Sequence, residues 1–312
     1  MKVEVLFAAA ALGLLGSEAA ARPDVEGLGP PKIELASGEI VVPMAEPGRQ
    51  PLVEAKINGS GPFKFFLDTG AHDAVLNPDL VDDLKLPVTG SRRIGDPAEP
   101  EGISARTLRI DRLTIGGASF SGVTAVTWEG AGNFTPEGVK GVLGLSLFAD
   151  LLLTIDYPKR ELRIARGELS ASEPGVVAYE AGPHGMVRVP ITVGSVSIDA
   201  DLDTGSPASV SLPKKYADQL PLESAPVQVG RARTVGGEFA IYAANAKGQV
   251  RIGKEVLSSS LEFHERLPVA NVGYRALRDF AITIDQKNRR LRFVKTGSAG
   301  KPADGRRFSR ES

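Results

Sequence analysis

The stretch Phe65-Phe66-Leu67-Asp68-Thr69-Gly70-Ala71 is followed, 135 positions later, by Ala200-Asp201-Leu202-Asp203-Thr204-Gly205-Ser206. Each stretch is a strand-like run that ends in an aspartate, a β-branched hydroxyl residue and a glycine that permits a tight turn. A single Asp-Gly turn usually has only a structural role. Two such turns at matching points of an internally repeated chain would place two carboxylates face to face across a pseudo-two-fold axis.

The rest of the chain supports an internal repeat. Leu153-Thr154-Ile155-Asp156 is matched by Ile282-Thr283-Ile284-Asp285, and Gly141-Val142-Leu143-Gly144-Leu145 by Ala270-Asn271-Val272-Gly273-Tyr274, both at an offset of 129. We therefore predict that each half has the same order of parts. A strand leads to an Asp-Thr-Gly turn, followed by a long β segment, an apolar-apolar-Gly segment, a short helix and a final hairpin.

The composition favours an all-β protein. The 312 residues are 42% hydrophobic and include 35 glycines and 22 prolines, with sparse aromatics and no long helix-periodic stretch. The net charge of -1, with both signs interspersed, gives no indication of nucleic acid as a partner. Cysteine is absent, which excludes disulfides and a bacterial lipoprotein anchor.

The sequence predicts five segments. Residues 1–21 are interpreted as a signal peptide, because Lys2 precedes an apolar run from Val5 to Leu15 that is too short to span a bilayer. Residues 22–169 and 176–297 are predicted as two lobes joined by a linker at 170–175, and residues 298–312 as a disordered tail. We expect the protein to be exported, periplasmic or extracellular, without a stable membrane anchor.

This layout resembles the retropepsin-like and pepsin-like aspartic proteases. The likeness is carried by the two Asp-Thr-Gly turns and by the apolar-apolar-Gly segments that end at Gly144 and Gly273. The resemblance implies an all-β acid-protease fold, with two homologous β-barrel lobes, the active site at their interface, and a bacterial, exported, fused form. It implies that Asp68 and Asp203 are catalytic. It also implies supporting roles for Thr69, Gly70, Thr204, Gly205 and Ser206.

Further expectations follow from the same resemblance. The substrate is a peptide or protein, no cofactor or metal is needed, and a monomer suffices because both aspartates lie in one chain. Each threonine hydroxyl is expected to bond the backbone of the opposite turn. Two departures from the family pattern stand out: Ala71 lacks the hydroxyl that pepsins carry after the glycine, and Asn271 replaces the first apolar residue of the second glycine segment.

Two adjacent carboxylates cannot both ionise easily, so they share a proton and their pKa values split. The ionised carboxylate removes a proton from a water molecule while its partner donates one to the peptide carbonyl oxygen. The hydroxyl of Ser206 is expected to donate to Asp203, whereas Ala71 offers nothing to Asp68. Because a hydrogen bond to the charged form lowers a pKa, we predict that Asp203 ionises more readily than Asp68.

Two other functions remain open: a bilobal peptide-binding protein that cuts slowly or never, and a structural repeat protein whose aspartates only cap turns. A calcium loop starting at Asp199 is rejected because its sixth and twelfth positions hold Thr204 and Val210. His72, His184 and His264 lack metal-ligand spacing. Candidate flaps over the cleft are residues 93–103 and the hairpin tip at 234–238 that leads to Tyr242.

Overall fold

The computed structural model describes residues 30–45, 50–96, 99–182, 185–234 and 237–295. The predicted signal peptide and the predicted tail lie outside these residues, as does His184. Within the described ranges, no helix is both long and apolar enough to cross a membrane.

Strands dominate both halves, as the composition predicts. The first half contains β1 (Lys32–Leu35), β2 (Glu39–Pro43), β3 (Leu52–Ile57), β4 (Ser60–Asp68), β5 (Ala74–Leu76), β6 (Val88–Asp96), β7 (Glu99–Ile115), β8 (Ala118–Thr127), β9 (Val139–Gly144), β10 (Leu152–Asp156) and β11 (Glu161–Ala165). The second half contains β12 (Val176–Ala178), β13 (Glu180–Ala181), β14 (Val187–Val193), β15 (Val196–Leu202), β16 (Val210–Pro213), β17 (Val227–Thr234), β18 (Gly237–Asn245), β19 (Val250–Ile252), β20 (Glu255–Leu257), β21 (Ser260–His264), β22 (Ala270–Val272), β23 (Phe280–Asp285) and β24 (Arg290–Lys295).

Helical structure is short. The α-helices are α1 (Pro78–Asp83) and α2 (Tyr274–Leu277), and 3-10 turns occupy Ala131–Phe134, Leu145–Phe148 and Lys214–Asp218. The short helix predicted after each apolar-apolar-Gly segment is confirmed, because Leu145–Phe148 follows Gly144 and α2 follows Gly273.

The first half forms a closed six-strand barrel. Its order is β8-β5-β9-β4-β3-β7, with β7 pairing back onto β8 and with β1 and β6 added outside this ring. The second half is a half-barrel in the order β17-β18-β21-β16-β22-β15-β14-β19-β20. This all-β architecture agrees with the two retropepsin-like barrel lobes expected from the sequence.

A third sheet joins the halves. It has the order β12-β24-β23-β10-β11-β2, and its central pair sets β10 of the first half against β23 of the second. Thr154 lies opposite Thr283 in this pair, and their hydroxyls are 2.9 Å apart. On the other face Leu153, Ile155, Ile282 and Ile284 are fully buried and belong to one hydrophobic core. The alternation of apolar and polar residues along these strands therefore ties both lobes to a common base.

Candidate active site

Each predicted catalytic aspartate stands at the end of a strand that runs parallel to an apolar-apolar-Gly segment. Asp68 ends β4 and lies opposite Gly144 at the end of β9. Asp203 directly follows β15, whose Leu202 lies opposite Val272 of β22, and the Asp203 N–H donates to the Val272 carbonyl at 3.0 Å. In both halves the glycine segment therefore supports the turn from the side, as the sequence predicts.

The two Asp-Thr-Gly turns are joined by a reciprocal hydrogen-bond network. The Thr69 hydroxyl accepts the Thr204 N–H at 3.0 Å and donates to the Leu202 carbonyl at 2.6 Å. The Thr204 hydroxyl accepts the Thr69 N–H at 3.0 Å and donates to the Leu67 carbonyl at 2.8 Å. Both threonines are completely buried. The crossed bonds expected from the resemblance are therefore present, and they fix the two carboxyl groups at the junction of the halves.

Both glycines of these turns lie where a side chain would strike a carboxyl group. A Cβ atom on Gly70 would lie 2.8 Å from Oδ1 of Asp203 and 3.0 Å from Oδ1 of Asp68. A Cβ atom on Gly205 would contact both oxygens of Asp68, at 2.6 Å from Oδ1. Glycine is therefore needed here for close approach, and the structure brings Asp68, Asp203 and the two turn glycines together.

The two carboxyl groups are buried and have different hydrogen-bond donors. Oδ1 of Asp68 accepts the N–H groups of Gly70 at 2.7 Å and Gly205 at 3.2 Å. Burial raises the pKa of Asp68 to about 6, although these bonds and one from Asp203 act to lower it. Burial and the negative charge of Asp68 hold the pKa of Asp203 well above its ordinary range. Both pKa values are raised, and the charge of Asp68 on Asp203 favours ionisation of Asp68 first, with the proton retained on Asp203.

This order reverses the prediction made from Ser206. The backbone N–H of Ser206, not its hydroxyl, donates to Oδ1 of Asp203 at 3.0 Å. The hydroxyl instead accepts the N–H of Ala208 at 3.3 Å, as in a local turn. The prediction was wrong because residue type alone does not give the rotamer of a serine that has a backbone donor two residues ahead. Ser206 therefore supports the site through its main chain.

Asn271 is a site residue whose role was missed from the sequence. Its buried Nδ2 donates to Oδ2 of Asp203 at 3.0 Å. The sequence marked Asn271 as a departure from an apolar pattern, and that departure was the available signal. A buried amide needs a hydrogen-bond partner, and here the partner is the carboxyl group next to it.

Other charged groups surround the pair. Asp201, two residues before Asp203, accepts two bonds from Arg188 at 2.8 and 3.0 Å. The negative charge of Asp201 also acts to raise the pKa of Asp203. Burial and the charges of Tyr274, Asp203 and Asp68 raise the pKa of the buried Tyr157 phenol well above its ordinary value.

A second group ties the first turn to the hairpin of β6 and β7. Asp73 accepts bonds from Nδ1 of His72 at 3.1 Å and from the guanidinium of Arg92 on β6. Burial would raise the pKa of Asp73, but the bonds and charges of His72 and Arg92 outweigh it, and the pKa is lowered. His72 thus bonds a neighbouring carboxylate. The tips of both predicted flaps lie outside the described residues, so their covering role stays a prediction.

Among the residues for which the structure gives positions, we find no cluster that could hold a metal ion, that is, no group of three or more histidine, aspartate or glutamate residues. His264 is buried on β21, where its ring meets Phe239 at a centroid distance of 5.5 Å. The described site thus consists of two carboxyl groups, main-chain donors and one amide.

Comparison with known families agrees with this geometry. A model of the aspartyl protease family matches residues 53–147, which include the first Asp-Thr-Gly turn and the first apolar-apolar-Gly segment. Residues 53–147 are thus similar to the retropepsin-like aspartyl proteases. A search of curated proteins found no match to this chain. The matched residues contain Asp68, whereas Asp203 and Asn271 lie beyond them.

Proposed function

We propose that the protein is an aspartic endopeptidase that hydrolyses peptide bonds with a water molecule activated between Asp68 and Asp203. The similarity to the aspartyl protease family points to a protease. The observation that carries the finer proposal is the pairing of two buried carboxyl groups by crossed Thr69 and Thr204 bonds. A protein that only bound peptides would not require two buried acids held at such a cost in desolvation.

The mechanism assigns a different task to each carboxyl group. Asp68, with the lower pKa, is the general base that removes a proton from water. Asp203, with the higher pKa, keeps its proton and donates it to the carbonyl oxygen of the substrate. The oxygen of the water bonds to the carbonyl carbon and a tetrahedral diol forms. No covalent bond to the enzyme is made.

This assignment gives an expected pH dependence. Activity requires the singly ionised pair, so the rate rises as pH increases through the pKa of Asp68, about 6. It falls again at higher pH, where Asp203 loses its proton. The optimum is therefore expected near neutrality or above it. A pH–rate profile that reached its maximum in strong acid and fell before about pH 6 would contradict the assignment.

The function is tested with Asp68→Asn and Asp203→Asn. A mixed peptide library is incubated with each protein across acid and neutral pH, with and without pepstatin, and products are identified by mass spectrometry. Each variant should lose a factor on the order of 10² to 10⁴ in rate, as expected for removal of a general acid or base. Pepstatin should block the wild type.

Asp199→Asn is the matched control, because it removes an exposed aspartate from the same strand as Asp201 and should cut normally. Wild-type protein that cuts no peptide at any pH but still binds pepstatin or peptides would support the non-cutting binding protein instead. Absence of both cleavage and binding would favour the structural repeat protein.

We further propose that the substrate binds in an extended conformation, with part of its affinity from main-chain hydrogen bonds as an added strand. Export and a monomeric state are proposed from residues 1–21 and from the presence of both aspartates in one chain. A secretion assay of the full chain and light scattering of the purified protein test these two proposals.

A further inference from the structure

The carboxyl group of Asp203 has two chemically distinct oxygens. Oδ1 accepts the Ser206 N–H at 3.0 Å and lies close to Gly70 of the opposite turn, where a Cβ atom would be 2.8 Å away. Oδ1 of Asp68 would lie 3.0 Å from the same Cβ atom on Gly70. Oδ1 of Asp203 therefore faces the other lobe, while Oδ2 faces Asn271, which donates to it at 3.0 Å.

The amide nitrogen of Asn271 can only donate, so Oδ2 of Asp203 must present a lone pair to it. Oδ1 also accepts an N–H, from Ser206. Neutral Asp203 donates a hydrogen bond to Asp68, so its proton resides on Oδ1, the oxygen that faces Asp68. The equivalent position in the first half is Val142, which lies opposite Phe66 in the same parallel register that places Asn271 opposite Asp201. Valine supplies no donor, so the two lobes hold their carboxyl groups differently.

We propose that Asn271 is a positioning residue that fixes the rotation of the Asp203 carboxyl group and confines its proton to Oδ1, between the two aspartates. The amide thereby directs the proton of the acid, Asp203, toward the base, Asp68, and favours the charged form of Asp203. Its kinetic consequence rests on the proposed peptidase function, but its effect on the titration of Asp203 does not.

Several charged or titratable groups near Asp203 also influence its pKa. Asp68 and Asp201 are acidic, Arg188 is bound to Asp201, and Tyr157 is a buried phenol that senses both carboxylates. Asn271 contributes no charge. Replacing it by an uncharged residue without a donor therefore leaves these charges in place and removes the hydrogen bond to Oδ2.

The test replaces Asn271 by leucine, which has nearly the same shape and no donor. A donor to a carboxylate favours its charged form, so its loss raises the pKa of Asp203. We expect the titration of the Asp203 carboxyl carbon, followed by ¹³C NMR and assigned with Asp203→Asn, to move upward by about one pH unit. In the pH–rate profile the basic limb moves the same way, while kcat falls about tenfold and KM stays nearly constant.

Ser211→Ala is the matched control, because Ser211 is buried and lies opposite Asn271 across the β16–β22 pair. It should titrate as the wild type does. A second variant, Asn271→Asp, keeps the side-chain size and replaces the donor by a carboxyl group. Because the added negative charge repels the Asp203 carboxylate, it too should raise the pKa of Asp203. Circular dichroism establishes that each variant is folded.

An unchanged Asp203 titration in the folded Asn271→Leu variant would overturn the proposal, whatever shift the added charge of Asn271→Asp produces. An equal upward shift of the Asp203 titration in Ser211→Ala would also overturn it, since that shift would reflect a general loosening of the packing around Asn271. If the wild type cleaves no peptide, the titration still decides the role of Asn271. Failure of this proposal and failure of the peptidase proposal are therefore distinguishable.

Discussion

The two halves present the same strands around their aspartates but opposite chemistry on them. Strand register makes four buried positions of the first half equivalent to four of the second, and Trp128, two residues after Val126, corresponds to His264, two residues after Glu262. The first set, which we call the apolar wall, forms one hydrophobic cluster: Phe66, Val75, Val126, Trp128 and Val142. The second set, which we call the polar wall, consists of buried polar residues: Asp201, Ser211, Glu262, His264 and Asn271.

The difference shows that one topology can be stabilised in two ways. In the first half, burial of large apolar side chains stabilises the wall, at roughly 1.5–3 kcal/mol for each, and Ile94 and Ala105 of the β6–β7 hairpin pack onto it. In the second half, directional bonds replace this term, because a buried polar group is costly unless it is paired. Arg188 holds Asp201, and Arg275 lies 3.4 Å from Glu262. In the second half Asn271 bonds the carboxyl group of Asp203, whereas Val142 at the equivalent position of the first half supplies no donor.

The barrels differ as well. In the first half β7 runs unbroken for 17 residues and pairs with β3, β6 and β8. In the second half the corresponding stretch is divided into β18 and β19, with Gly248 between them at φ +110°. A left-handed glycine does not continue a strand, so this half remains a half-barrel.

The largest expected effect tests the part of the site that is common to both halves. Gly205→Ala places a methyl group against both oxygens of Asp68, and Gly70→Ala places one against Asp203. Each should lower kcat/KM by a factor of at least about 10², because displacement of a reacting group by 1 Å has that consequence. Gly205→Ala should be the more severe, since its Cβ would approach closer.

Gly38→Ala controls for the added methyl group, because a Cβ atom there meets nothing within 4 Å. Equal, small losses in all three alanine variants would show that the two carboxyl groups are not held as closely as described.

A second comparison uses the crossed threonines. Thr69→Val and Thr204→Val keep the side-chain shape but leave a buried N–H and a buried carbonyl without their partner. Each variant should lower the free energy of unfolding by about 2–4 kcal/mol in urea titrations. Thr→Ser at either position keeps the hydroxyl group and should preserve most of the wild-type free energy of unfolding. The network is symmetric, so the two losses should agree to within about 1 kcal/mol. Markedly unequal values would mean that the different walls control this junction too.

The smallest effect tests the polar wall. Burial lowers the pKa of His264 to about 4, from an unfolded value of 6.5. The native state thus excludes a proton that the unfolded chain binds, and this contribution to stability is complete above pH 6.5 and lost as pH falls toward 4. Burial raises the pKa of Glu262 above its unfolded value of 4.5. Its contribution to stability therefore has the opposite pH dependence, since it is present at low pH and is lost as the pH rises above 4.5.

The wild type should lose stability on acidification that His264→Phe does not lose. The free energy of unfolding of His264→Phe, minus that of the wild type, should therefore increase by about 2 kcal/mol when the pH is lowered from neutral to about 5. Trp128→Phe, at the equivalent position of the apolar wall, should show no such relative gain. Urea titrations at the two pH values measure both. Parallel behaviour of the two variants would contradict the assignment of acid sensitivity to the polar wall.

Much of the fold was predictable because its signals are local. Alternating apolar residues define strands such as β10 and β23, and Gly70 and Gly205 mark turns that only glycine allows. The role of Ser206 was not predictable, since the rotamer that places its hydroxyl next to the N–H of Ala208 is set only in the folded turn. Asn271 was visible as an anomaly, but its partner, Asp203, is 68 residues away in the chain.

The sequence by itself determined that this is an all-β chain with two Asp-Thr-Gly turns, each beside its own glycine segment, because residue type and spacing decide strand, turn and register. Only the tertiary structure decided how unequal the two aspartates are. Burial, the charge of Asp68 on Asp203, and two main-chain donors on Asp68 against one on Asp203 favour ionisation of Asp68 first, while the amide of Asn271 orients the carboxyl group of Asp203. These influences act through space over a few ångströms, between groups that the chain brings together only when it folds.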